Sequence, residues 1–296
     1  MLNALILFFA LQEDNEDPLI FQAVFFFLAS LLAAGIVLLV INKVFYFFEM
    51  AYVEYVNKRL FFTHLYINKK TLSNDHKSIL RQKIKFYNSL SLKHKSYFEH
   101  RVYKTINRTE FIGKQLDVSD EMKVVISATL VKLTFGLRDY KIDSVERVLI
   151  YPEEFYSQTN KAYHKGEFNL GYKALVLSWK DVLHGYHIED DNLNLAVHEF
   201  IHAIHFYYMN VRKRSTSSAI FLDSYYELTE DLNNNASLKE ELVSSEYIRD
   251  YAFTNQFEFL AVIIETFIET PQEFRSEFPD VYKKVKGMLN FNFKGY

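Results

Sequence analysis

The run AVFFFLASLLAAGIVLLVI, residues 23–41, limits what this 296-residue chain can fold into more than any other stretch. It has no charge and a single serine. As an α-helix it would rise roughly 28 Å, close to the roughly 30 Å hydrocarbon core of a bilayer. Apolar residues from Leu19 to Phe48 leave room for tilt. The competing reading is a buried core helix, but core helices seldom lack polar residues on every face. A transmembrane helix over residues 18–48 is therefore expected.

Its flanks give it a direction. Glu13, Asp14, Glu16 and Asp17 precede it, while Lys43, Lys58, Arg59, Lys69 and Lys70 follow. Basic residues favour the cytoplasmic side. The expectation is a single-pass protein of the inner (cytoplasmic) membrane, N-terminus outside, with everything after the span in the cytoplasm. Residues 1–11 are apolar but too short to span and lack the basic start of a secretion signal. Residues 1–17 are expected to form a tail, poorly ordered or resting on the membrane surface.

The rest of the chain is long enough to bury a core of its own. It contains no cysteine, which excludes disulfides, thiolate metal ligands and a cysteine nucleophile. The formal net charge is -3, unlike the basic surface of a nucleic-acid binder, so no nucleic-acid partner is expected. Only 8 glycines and 4 prolines favour long helices and short loops. A juxtamembrane helical linker is expected over 49–75, aromatic and basic. Ser73 or Asn74 would cap the next helix and open a domain at 76–296. Helical spacing continues from there, with a break near 89–92. VSDEMKVVISATLVKLTFGL reads as a helix with N-cap Ser119, first-turn acids Asp120 and Glu121, and Gly136 at its end. SVERVLIYPEEF and KALVLSW (173–179) read as strands, separated by a polar loop over 160–171. Helices return after Asp191, with a polar loop over 212–218 and final helices at 236–249, 255–268 and 277–290. The expected fold class is α+β, mainly helical, with a small β-sheet.

Chemistry concentrates in NLAVHEFIHAIH, residues 194–205. On a helix, residues four apart share a face, so His198 and His202 can offer two imidazoles to one metal ion while Glu199 stands beside them to handle a proton. Catalytic zinc takes three protein ligands and keeps one position for water. Glu258 is the best candidate for the third. It opens the apolar helix that follows a cap at Thr254 or Asn255, where a carboxylate is costly without a metal or an ion. A solvated first-turn acid is the alternative. Glu265, two turns on, is suited to hold a histidine ring or to pair with a lysine or arginine. Tyr251 could donate to a developing oxyanion or be plain core. One zinc per chain is the expected cofactor.

LVLSWKDVLHGY, NLAVHEFIHAIH and YAFTNQFEFLAVIIETFIETPQEFRSEFPDVYKKV together resemble the Mlc titration factor A zinc-peptidase family, over about residues 85–290. That resemblance implies a zincin-like fold akin to the anthrax lethal factor peptidase domain. It also implies His198, His202 and Glu258 on zinc, Glu199 as base, and Tyr251 as transition-state donor through a Tyr-x6-Glu arrangement. Family members commonly carry aspartate three residues after the second histidine; here that position is His205. One unbroken helix cannot easily wrap three imidazoles around one ion, so His205 is expected behind the ligands or in the core. The expected activity is peptide hydrolysis, with a peptide or protein substrate adding to the edge of strand 173–179 beside loop 160–171. The alternative from the same resemblance is a non-catalytic, membrane-tethered protein that sequesters a transcriptional regulator. Such a protein would have a regulatory protein as its partner.

Overall fold

A computed structural model describes residues 18–158, 160–188 and 191–296. The expected tail over 1–17 lies outside the described residues. The chain divides into two compact units at residue 50.

Helix α1, Pro18–Tyr55, is the one helix among the described residues long and apolar enough to cross a membrane. It continues past the expected end at Phe48. The expected helical linker over 49–75 is thereby corrected: the chain is irregular from residue 56 to the cap at Ser73. The physical reason lies in its backbone groups, which are committed elsewhere. The Phe62 carbonyl accepts from Arg138 Nη2 at 2.9 Å and the Thr63 carbonyl from Arg101 Nη2 at 3.2 Å. The Lys70 N–H donates to His100 Nδ1 at 2.8 Å. Groups used in this way cannot close helical turns.

The helices that follow are α2 (Asn74–Lys83), α3 (Lys85–Ser89), α4 (Leu92–Arg108) and α5 (Asp120–Leu133). Ser73, Ser91 and Ser119 each cap their helix by accepting an N–H of the first turn. The expected break near 89–92 is present.

The main sheet is mixed, with strands β1 (Glu110–Gly113), β2 (Arg147–Tyr151), β5 (Gly166–Asn169) and β6 (Ala174–Ser178). Their spatial order is β1-β2-β6-β5; the first three are mutually parallel and β5 runs antiparallel to β6. A separate hairpin pairs β3 (Phe155–Ser157) with β4 (Ala162–His164). The expected loop over 160–171 is thus corrected: it contains β4 and β5. Gly-Glu-Phe-Asn offers neither β-branching nor apolar alternation, so its pairing with β6 decides its conformation. The expected free edge at 173–179 is corrected with it. β6 is buried along its length and bonded on both sides, so the free edge belongs to β5.

The remaining helices are α6 (Trp179–His187), α7 (Leu195–Val211), α8 (Thr216–Asn234), α9 (Ala236–Ser244), α10 (Gln256–Glu269), α11 (Pro271–Glu277) and α12 (Pro279–Met288). The expected loop at 212–218 shrinks to a 3₁₀ turn at 212–214, because Ser215 caps α8 and Thr216, Ser217 and Ser218 are buried. The expected helix at 277–290 begins instead at Pro279, and a separate short helix begins at Pro271. Proline is favoured at a first helical position because its missing N–H has no partner there anyway. In α10, every residue from Phe259 to Ile268 is buried, and α7 packs between it and the sheet.

Arg101 of α4 is fully buried. Its Nε donates to the Tyr66 hydroxyl at 2.6 Å and its Nη1 to the Thr134 carbonyl at 2.8 Å, besides the bond to Thr63. Removing it strands three acceptors, each costing about 1–3 kcal/mol. Arg101→Ala should therefore lose at least about 3 kcal/mol in urea unfolding followed by fluorescence of Trp179, the single tryptophan.

Candidate metal centre

Two helices carry the site, and polar side chains start both. Asn194 caps α7: its Oδ1 accepts the Val197 N–H at 3.1 Å. Asn255 caps α10: its Oδ1 accepts the N–H groups of Phe257 and Glu258 at 2.9 and 3.1 Å. Each cap fixes where its helix begins, and so which residues face the other helix.

On α7, His198 and His202 stand one turn apart with ring centroids 4.9 Å from each other. Both Nε2 atoms turn toward the first turn of α10. Glu258 Oε2 lies 2.9 Å from His198 Nε2 and 3.5 Å from His202 Nε2. These three ligand atoms all fall within 4.8 Å of one another. Tetrahedral coordination with bonds of about 2.0–2.1 Å puts ligand atoms roughly 3.3 Å apart. The observed separations bracket that value, and two imidazoles with a carboxylate suit zinc. The donor set fits a metal ion.

Behind it, the other oxygens are fully used. Glu265 of α10 is 2 % exposed. Its Oε2 lies 3.2 Å from His198 Nδ1 and also accepts from Arg249 Nη2, while its Oε1 accepts the Asn194 N–H. Glu265 thus holds the ring of His198 so that Nε2 points forward. It both bonds the histidine and pairs with an arginine. Arg249 was not singled out in the sequence, although it stands two residues before Tyr251.

Glu199 is buried against β5, and burial raises its carboxyl above the usual carboxylate range. The charges of His198 and His202 pull the other way, as does a hydrogen bond from the Phe168 N–H of β5. Gly166 of the same strand explains how the strand comes so close. A Cβ there would sit 2.7 Å from Glu199 Cγ and Oε1 and 2.7 Å from Leu195 Cδ1. Tyr251 lies half-exposed in the 3₁₀ turn Asp250–Phe253, its ring 6.0 Å from that of His198. Burial and the neighbouring carboxylates raise its pKa.

His205 stands apart. Its ring packs 4.7 Å from Tyr225 and 5.5 Å from Phe257, and its Nε2 is buried without a partner. Burial lowers its pKa to about 4, so it is neutral. Among the described residues it bonds none of the three candidate ligands, and this is the position of a core histidine.

Two cavities flank the cluster. One of about 550 Å³ is lined by Tyr251, Leu195, His164, Lys165 and Asp181 among others. The other, of about 300 Å³, is walled by Phe168, Phe206, Met209 and Phe257. The β5 edge runs between them.

The charges of the cluster predict how the metal-free protein responds to pH. For His198, burial alone lowers the pKa, but hydrogen bonds to Glu258 and Glu265 outweigh it and raise it to about 9. For Glu258, burial raises the carboxyl, but hydrogen bonds from His198 and His202 hold it well below the usual range. The histidine's contribution is complete below its unfolded value near 6.5 and is lost as pH rises through about 9. The glutamate's is present above its unfolded value near 4.5 and is lost as pH falls through the folded value. Thermal unfolding in chelator should therefore peak between about pH 5 and 6.5 and decline toward pH 9. In His198→Asn the alkaline decline should be absent.

Residues 57–289 match the family model described as glucose-regulated metallo-peptidase M90. The chain is also 25% identical over 230 residues to the uncharacterized protein slr2042 of Synechocystis, covering 71% of this chain and 81% of that protein.

Proposed function

Since the chain belongs to the glucose-regulated metallo-peptidase M90 family, we propose that His198, His202 and Glu258 hold one zinc ion, that Glu199 is the general base and that Tyr251 stabilises the transition state. The observation that carries this reading is the convergence of those three side chains from two helices, backed by Glu265. The metal-binding part is a zincin-like domain. The family model begins at residue 57, well ahead of the 76 expected for the domain. The irregular stretch that supplies Thr63 and Tyr66 to the core belongs to the domain as well.

When bound, zinc supplies a Lewis acid for the scissile carbonyl and acidifies water to a pKa near 7. The protein's own groups do the rest. The peptide lies along the free edge of β5 and exchanges backbone hydrogen bonds with it. Side chains on either side of the scissile bond enter the two flanking cavities, so a large apolar residue is favoured in the one walled by Phe206 and Met209. Glu199, raised by burial, takes a proton from the attacking water and hands it to the leaving nitrogen. The Tyr251 hydroxyl donates to the carbonyl oxygen as its charge grows. The reading as a pure sequestering protein leaves Glu199 without a task, and nothing in the site favours it.

The span is α1, with the peptidase domain on the cytoplasmic side; the acidic residues before it and the basic ones after it support that direction. The protein should stay with membranes through an alkaline wash and need detergent for release. Protease added to inverted vesicles should digest the domain, and protection there would reverse the orientation.

Glu199→Gln should keep about one zinc per chain by elemental analysis while losing about 10²–10⁴-fold in kcat on unstructured peptides. Glu258→Ala should lose the metal. A Gln variant with full activity would remove Glu199 from the mechanism.

A further inference from the structure

A separate cavity of about 250 Å³ lies next to the N-cap of α7, away from the peptide cleft. Its floor is polar. Glu269, at the end of α10, accepts from Asn194 Nδ2 at 2.9 Å through Oε1, while its Oε2 is buried with no partner. Burial raises the Glu269 carboxyl to about 7, against the pull of the Asn194 hydrogen bond and the charge of Lys132.

The mouth is basic: Lys83, Lys85, Lys132 and Lys294 all line it. Lys83 is paired with Glu121 at 3.0 Å. Lys132 and Lys294 form no ion pair among the described residues. Lys132 instead lies 5.9 and 5.8 Å from the ring centroids of Phe86 and Tyr296, which wall the cavity.

This chemistry narrows the occupant. The lysines repel a metal cation and attract a compact anion. The unpartnered carboxyl oxygen calls for a hydroxyl donor, since a buried polar atom left unpaired is costly. The two rings offer flat apolar faces to a carbon skeleton. The size is close to the lower bound of small-molecule sites, roughly 300 Å³. We propose that this cavity binds a small phosphate monoester of a polyhydroxylated molecule. Its phosphate sits between Lys132 and Lys294, and a hydroxyl reaches Glu269.

The floor of the cavity is also the back of the metal centre. Asn194 donates its side-chain NH₂ to Glu269 and its backbone N–H to Glu265, which holds His198, while its Oδ1 accepts an N–H of the first turn of α7. A ligand hydroxyl on Oε2 leaves the Asn194 bond to Oε1 in place but fixes the Glu269 carboxyl, and through Asn194 it bears on the ring of His198. Occupancy thus alters the peptidase rate, a consequence that rests on the peptidase reading above.

The test is calorimetric titration of the full chain, zinc-loaded in detergent micelles, with glucose 6-phosphate, glucose and inorganic phosphate as probes. Glucose 6-phosphate should bind saturably, at least tenfold more tightly than either control. The double variant Lys132→Gln/Lys294→Gln should weaken it at least tenfold with metal content and melting temperature unchanged. No saturable binding, equal affinity for inorganic phosphate (an adventitious ion only), or undiminished binding in the double variant would overturn the site. Saturating glucose 6-phosphate should change the rate of peptide cleavage in the parent and not in the double variant; binding without any rate change would overturn the coupling. A chain that cleaves no peptide at all would count against the peptidase reading, while the titration would still decide the site.

Discussion

The carboxyl group of Glu265 is almost wholly removed from water, and its oxygens engage three different partners. One is the ring of His198, one the backbone at the start of α7, and one the guanidinium of Arg249. This single group fastens the middle of α10 to the beginning of α7. With that link made, the position of Glu258 opposite both imidazoles follows from helix geometry, because it sits two turns earlier on the same face. Were Glu265 apolar, the two helices could still pack, but the Nδ1 side of the His198 ring would lose its partner and only Glu258 would hold the ring.

Parts of this arrangement were legible in the residues themselves. His198 and His202 announce their shared face by their spacing. Glu258 stood out as an acid at the head of an apolar helix. Ser119 is a cap that sequence chemistry alone can identify, whereas the choice between Thr254 and Asn255 is made by the folded chain. What was not legible depends on pairing across distance. Gly-Glu-Phe-Asn becomes a strand because β6 offers it a ladder, not through its own preference. Residues 56–73 look helical by composition, yet their carbonyls serve arginines that come from α4 and from beyond α5. Arg249 and Asn194 carry no motif; only the folded chain shows that both end on Glu265.

The two units of the chain ask different things of their residues. Residues 23–41 of α1 are apolar on all faces, and their backbone groups are satisfied by the helix's own bonds. The second unit, by contrast, relies on polar groups at its interior joints: Arg101 binding carbonyls, Ser144 donating to the Ala203 carbonyl at 2.8 Å, and Tyr208 donating to that of Asp139 at 2.8 Å. Such joints restrict the chain to one arrangement, since a polar atom that loses its partner in the interior finds no substitute there.

Gly166 shows how close strand and helix come beneath the cleft. The hydrogen it carries in place of a side chain is the whole clearance between β5 and the carboxyl group of Glu199. A methyl group at this point would meet the side chains of Glu199 and Leu195 and oblige them to move. An intact set of metal-binding side chains is therefore insufficient, taken alone, to identify a working hydrolase of this shape; position 166 has to be checked along with them.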